Sequence, residues 1–150
     1  MWDEKRGIIG IGYEGLSVEE FTDQIARWGV STLVDVRLNP QSRKPGFSRK
    51  SLSSHLGTNG IAYVHMPELG NPRDNRGGYS QPGSDAGNTA RAVFVERLTL
   101  PEAVGKLDEL TALASAGHVA VVCFEQRETE CHRHEVLDAV RGRLARLVQA

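Results

Sequence analysis

Residues with chemical capacity gather near the end of the chain. In VAVVCFEQRETECHR (119–133) an apolar run ends at Phe124, Glu125 follows at once, and Cys131, His132 and Arg133 come where a helix should begin. Open α/β sheets build ligand sites where a buried strand opens into a polar turn before a helix. In the first turn of that helix Cys131 would have free amides, the helix dipole and Arg133 to stabilise a thiolate, which suits a nucleophilic or redox-active cysteine. The alternative is a small residue packed under the turn. Cys123, inside the apolar run, is expected in the core. Cys131, His132 and His134 match no zinc spacing, and neighbouring side chains on a helix diverge, so no metal ligand set is expected.

Glu125, just beyond a buried strand, can act as general base or hold a ligand hydroxyl. Asp35 is the one acidic residue in its strand, and a buried carboxylate needs a partner. Arg37 lies two residues on and on the same face, so a structural ion pair is the alternative to a ligand-binding role. From Asp35 to Glu68 no other acidic residue occurs, while Arg37, Arg43, Lys44, Arg49 and Lys50 fall inside. Such a segment is either a solvated basic face or a surface for an anion, phosphate above all. GIGYEG (10–15) formally matches the dinucleotide-binding glycine pattern, but bulky Tyr13 and acidic Glu14 would crowd and repel a pyrophosphate, which argues against a nicotinamide cofactor.

Several elements must position these groups. Gly7 to Gly12 is a short strand. A helix follows from Leu16 and Ser17 to Gly29, with a Ser17/Glu20 capping box and a buried stripe of Phe21, Ile25 and Trp28. Thr32 to Val36 is the second strand, Ser48 caps a short helix, and Ile61 to Val64 is the third strand. Glu68 to Asn88, rich in Gly, Pro, Asn and Asp, reads as a functional lid or a disordered loop; as a lid it would bring Arg73, Arg76 and Tyr79 to a ligand. Helices are expected near 89–98 and 101–115, the second with a Thr99/Glu102 capping box. The fourth strand is Val119 to Phe124, and the last helix starts about Glu130 with a stripe of Leu137, Val140, Leu144 and Leu147. Strands alternating with helices predict a mostly parallel sheet of about four to five strands, covered on both faces. The simplest right-handed order is 3-2-1-4, which sets the crevice between strands 1 and 4.

The 150 residues, 39% hydrophobic and 25% charged, suit one domain with a real core. A net charge of −1 argues against non-specific DNA binding. No stretch is apolar enough to span a membrane, and the charged start MWDEKRG lacks the apolar region of a secretory signal. Two cysteines without a C-x-x-C spacing suggest no disulfide framework, so a cytoplasmic location is expected.

Four segments, IGYEG, LVDVRLNPQSRKPGFS, GIAYVHMPELGNP and VVCFEQRETECHRHEVL, occur in order over most of the chain, which resembles the DUF488 family. The resemblance implies a single-domain Rossmann-like three-layer sandwich over 1–150 and supplies no activity. By motif position it points to Tyr13, Asp35, Arg37, Pro40, Ser42, Phe47, His65, Leu69, Gly70, Glu125, Cys131, His132 and Arg133. Glu125, Cys131 and Asp35 are the catalytic candidates; Tyr13, Arg37, Ser42, His65, His132 and Arg133 are the substrate-binding ones. Three functions compete. An enzyme acting on a phosphorylated small molecule, nucleotide or nucleic-acid end would hold phosphate with Arg37, Ser42 and Arg133. A non-catalytic nucleotide or nucleic-acid binding module would use the basic stretch from Arg37 to Lys50. Thiol chemistry, redox or sulfur transfer, would centre on Cys131. The residues name no cofactor.

Overall fold

The computed structural model describes residues 2–149. Four parallel strands, β1 (Gly7–Gly12), β2 (Thr32–Asp35), β3 (Ala62–His65) and β4 (His118–Cys123), form one sheet in the order β1-β4-β2-β3. This corrects the 3-2-1-4 expectation, because β4 lies between β1 and β2. Burial explains the choice. Val119 to Cys123 are buried without a break, which suits an interior strand, whereas Ile9 and Gly10 of β1 are partly exposed and suit an edge.

Helices α1 (Val18–Arg27) and α2 (Arg49–Gly57) cover one face, where Phe21, Ile25, Leu52 and Leu56 pack on Leu33, Ala120 and Val122. Helices α3 (Asp85–Arg97), α4 (Pro101–Ala116) and α5 (Arg133–Gln149) cover the other, with Phe94, Leu107, Leu137 and Val140 against Val34, Val119 and Val121. The result is an α/β sandwich with a layer of helices on each face. No helix is long and apolar enough to cross a membrane among the described residues.

The Ser17/Glu20 capping box forms as expected: Glu20 N–H donates to Ser17 Oγ at 3.1 Å and Ser17 N–H donates to Glu20 Oε1 at 2.9 Å. The Thr99/Glu102 box does not form. Leu100 is the N-cap of α4, Pro101 opens the helix, and Thr99 Oγ1 donates back to Glu96 O. Ser48 caps α2 by position, without a side-chain hydrogen bond. Leu147 is exposed, so the buried stripe of α5 ends at Leu144. Helix α3 begins at Asp85, capped by Ser84 Oγ, before the expected start near Thr89.

The 68–88 segment is ordered and lies over the crevice, where the lid alternative put it. It is three short 3-10 turns (Pro67–Leu69, Arg73–Asn75 and Gly77–Ser80) tied to the body. Gly70 lies so close to Leu38 that a Cβ would stand 2.7 Å from Leu38 Cα. Arg97 Nε donates to Gly70 O, and Asn75 Nδ2 donates both to Asn71 Oδ1 and to Ala90 O. These anchors hold the segment over the carboxyl ends of the strands.

Candidate functional site

A cavity of about 140 Å³ opens where β1, β2 and β4 end. Its wall is built by Tyr13, Arg37, Asn39, Gln41, Cys123, Phe124, Glu125, Glu130, Cys131 and His132, and by Asn71, Arg76 and Tyr79 from the 3-10 turns. The β1–β4 pairing continues past the sheet, because Glu14 N–H donates to Phe124 O and Gln126 N–H donates to Glu14 Oε1. Gly12 is needed here for a reason other than phosphate: a Cβ would lie 1.9 Å from Glu125 O. Only a residue without a side chain lets the β4 turn pass over β1.

The cysteines change the chemistry of this pocket. Cys123 and Cys131 are joined in a disulfide, with Cα atoms 7.2 Å apart. Cys123 is buried in the core as expected, and its sulfur also pairs with Cys131, which the cysteine spacing did not suggest. Alternation along β4 sends Val119, Val121 and Cys123 to the α5 face, where Cys131 returns. The last helix starts at Arg133, not Glu130. A 3-10 turn at Glu128–Glu130 precedes it, and Cys131 is extended. The side chains of Cys131 and His132 are therefore free to converge, with Nδ1 of His132 standing 3.7 Å from Cys131 Sγ and 3.9 Å from Cys123 Sγ.

His132 is buried edge-on against Phe94, and its Nε2 donates to Val36 O at 2.9 Å. Burial, reinforced by the Arg76 and Arg133 guanidinium charges, pushes its pKa down to about 4. The ring is neutral at neutral pH, and its unprotonated Nδ1 faces the sulfurs. Glu125 Oε2 lies 3.1 Å from Cys123 Sγ, and burial raises that carboxyl above its usual range. The Arg133 N–H points at Cys131 Sγ from 3.5 Å.

The two arginines expected to hold phosphate are engaged by the protein itself. Arg37 donates from Nε and Nη2 to the two oxygens of Asp35 and from Nη1 to Phe47 O and Tyr13 Oη. Asp35 also accepts from Arg37 N–H and from Tyr63 Oη–H. The Asp35–Arg37 pair is therefore an internal brace between β2 and the segment after it. Arg133 donates to the carbonyls of Glu125 and Gln126 and holds the β4 turn in place. Ser42 Oγ accepts from Lys44 N–H and His65 Nε2 donates to Arg37 O; neither residue lines the cavity. Tyr13 does, with its ring stacked on Phe47 at 4.4 Å.

Of the residues held out for a closing lid, Arg76 and Tyr79 reach the wall and Arg73 does not. Arg76 is anchored through Nε to Asn71 O, and the buried Tyr79 hydroxyl has no hydrogen-bond partner among the described residues. Asn39, Gln41, Asn71 and Glu130 on the wall, and the pairing role of Cys123, were not among the expected site residues. The position of Cys123 on the same strand face as Val119 and Val121 was the available signal for the latter.

A family model described as "Domain of unknown function DUF488" matches residues 17–140. No curated protein and no solved structure matches the chain.

Proposed function

This chain belongs to the DUF488 family, a domain of unknown function, and we propose from the pocket itself that it is a thiol–disulfide redox enzyme acting on a small molecule. The observation that carries this reading is the Cys123–Cys131 pair on the cavity wall, flanked by the His132 lone pair and the Glu125 carboxyl. A volume of about 140 Å³ is below the 300 Å³ or more of ordinary ligand pockets and admits only a few heavy atoms. The Arg76 guanidinium on the cavity wall is the group that would orient such a substrate.

The cycle balances as follows. A low-molecular-weight thiolate attacks Cys131 Sγ, the S–S bond breaks, and Cys123 leaves with the electron pair. The Glu125 carboxyl, kept protonated to higher pH by burial, supplies the proton to that sulfur. A second thiolate attacks the mixed disulfide, so two small thiols become one small disulfide and the protein becomes a dithiol. In the other direction the Cys131 thiolate attacks a small peroxide. The O–O bond breaks, water or alcohol departs, and Cys131 becomes a sulfenic acid. Cys123 thiolate then displaces its oxygen as water and restores the disulfide. Cys131 is the nucleophile because the Arg133 N–H at the start of α5 faces its sulfur. We place this cycle in the cytoplasm, where disulfides are mostly transient and thiols restore the reduced form.

The arginines expected to hold phosphate, Arg37 and Arg133, donate to protein acceptors, which leaves Arg76 as the less engaged cation on the wall. We therefore set the thiol reading ahead of a nucleotide or nucleic-acid ligand. The test is anaerobic reduction followed by mixing with hydrogen peroxide. The expected result is one disulfide per chain, formed much faster than by free cysteine, with loss of the reaction in Cys131→Ser and slower reduction of the disulfide in Glu125→Gln. A dithiol no more reactive than free cysteine would overturn the proposal.

A further inference from the structure

His132 has only one placement for its ring proton. The Val36 carbonyl can only accept, so Nε2, 2.9 Å away, carries the hydrogen, and the other nitrogen is left as a lone pair. A backbone carbonyl that fixes the ring in this way is the usual support of a metal-ligating histidine. The lone pair faces two sulfurs, and all three atoms lie within 4.8 Å of one another.

We propose that, once the disulfide opens, Cys123 Sγ, Cys131 Sγ and His132 Nδ1 form a three-ligand site for Zn²⁺, with its fourth position open to the pocket. Zinc–sulfur bonds of about 2.3 Å and zinc–nitrogen bonds of about 2.0–2.1 Å require a sulfur–nitrogen edge of about 3.6 Å in a tetrahedron. The two such edges are 3.7 and 3.9 Å, so they already fit. The sulfur–sulfur edge is the one that must change, opening to about 3.8 Å for a tetrahedral zinc. The backbone leaves room for it, since the Cα atoms are 7.2 Å apart, beyond the roughly 4.4–6.8 Å of most disulfides.

Charge and ligand type point the same way. Two thiolates neutralise a divalent cation, so the buried site carries no net charge, and imidazole with thiolates suits zinc better than magnesium or calcium. All three ligands lie on the cavity wall, which leaves the remaining position for water or a small substrate. Metal and disulfide exclude each other, because the same electron pairs make both. The inference rests on the redox reading in one respect, that the disulfide opens with the fold intact.

The test uses the whole chain, reduced anaerobically and freed of reductant, with thiols counted and folding checked by circular dichroism. Zn²⁺ is then titrated against a chromophoric chelator, and Co²⁺ serves as the spectroscopic probe. The reduced protein should take one Zn²⁺ per chain and show sulfur-to-cobalt charge transfer, and the disulfide form should take none. His132→Ala should weaken binding at least about tenfold, and Cys131→Ser, which keeps the side-chain shape, should remove the charge-transfer contribution of one sulfur. A folded protein with two free thiols that refuses Zn²⁺, or one that binds it equally when oxidised, overturns the metal site and leaves the redox reading standing. Failure to obtain two thiols in a folded chain overturns both.

Discussion

Replacing Asp35 with Asn should unbalance the most completely buried ion pair in the molecule. Asp35 is 0% exposed and receives four hydrogen bonds. Arg37 N–H and Nε come to Oδ1 at 3.0 and 2.9 Å, while Nη2 and the Tyr63 hydroxyl come to Oδ2 at 2.7 and 2.5 Å. All four donate to the carboxylate, and of them only the Tyr63 hydroxyl could accept instead. Whichever way the amide is turned, its NH₂ group meets at least one Arg37 N–H donor, and the Arg37 guanidinium, 8% exposed at the cavity wall, loses its countercharge. Breaking one side of a buried pair costs about 3–5 kcal/mol. With a urea dependence of about 2 kcal/mol per molar, the midpoint should fall by about 2 M. The assay is urea unfolding followed by circular dichroism, with the slope compared between variants. Arg37→Met in the Asp35→Asn background should recover part of the loss, because the orphaned charge is then gone. A loss below about 1 kcal/mol at unchanged slope would refute the reasoning, since such values belong to solvent-screened surface pairs.

Gly12→Ala should lower stability by about 1–3 kcal/mol, the cost of forcing atoms into a packed site, because its Cβ would stand 1.9 Å from Glu125 O and 2.4 Å from Glu125 C. Gly105→Ala, in the interior of α4 with nothing within 4 Å of the new methyl, should instead gain about 0.5–1 kcal/mol; thermal melts of the two variants should move in opposite directions. His132 gives a pH dependence in the disulfide form. Its folded pKa is pushed from 6.5 to about 4, so between those values the unfolded chain binds the extra proton. Its contribution is complete above about pH 6.5, is lost as the pH falls, and levels off below about 4. Urea midpoints from pH 7 to 4 should fall more steeply in the parent than in His132→Asn, and equal slopes would sink this account.

Local chemistry was readable along the chain wherever a signal acts over a few residues. Ser17 and Glu20 sit three apart and cap one another wherever that helix lies. Asp35 and Arg37 share a strand face by parity, and their pairing follows. The end of the β4 apolar run placed Glu125 at the mouth of a crevice, and alternation of strands and helices required a covered parallel sheet. Matters decided between distant segments were not readable in this way. The insertion of β4 between β1 and β2 depends on which strand buries most on both faces. Arg37 and Arg133 looked like anion ligands because their types allow it, yet the carbonyls of Phe47, Glu125 and Gln126 reached them first. A helix start three residues later than expected turned Cys131 toward Cys123, and the 3-10 turns after β3 carried Arg76 and Tyr79 over both. Neighbouring residues set conformation through short-range sterics and hydrogen bonds. Which side chains meet in the pocket depends instead on how the whole chain excludes water, a property no short segment contains.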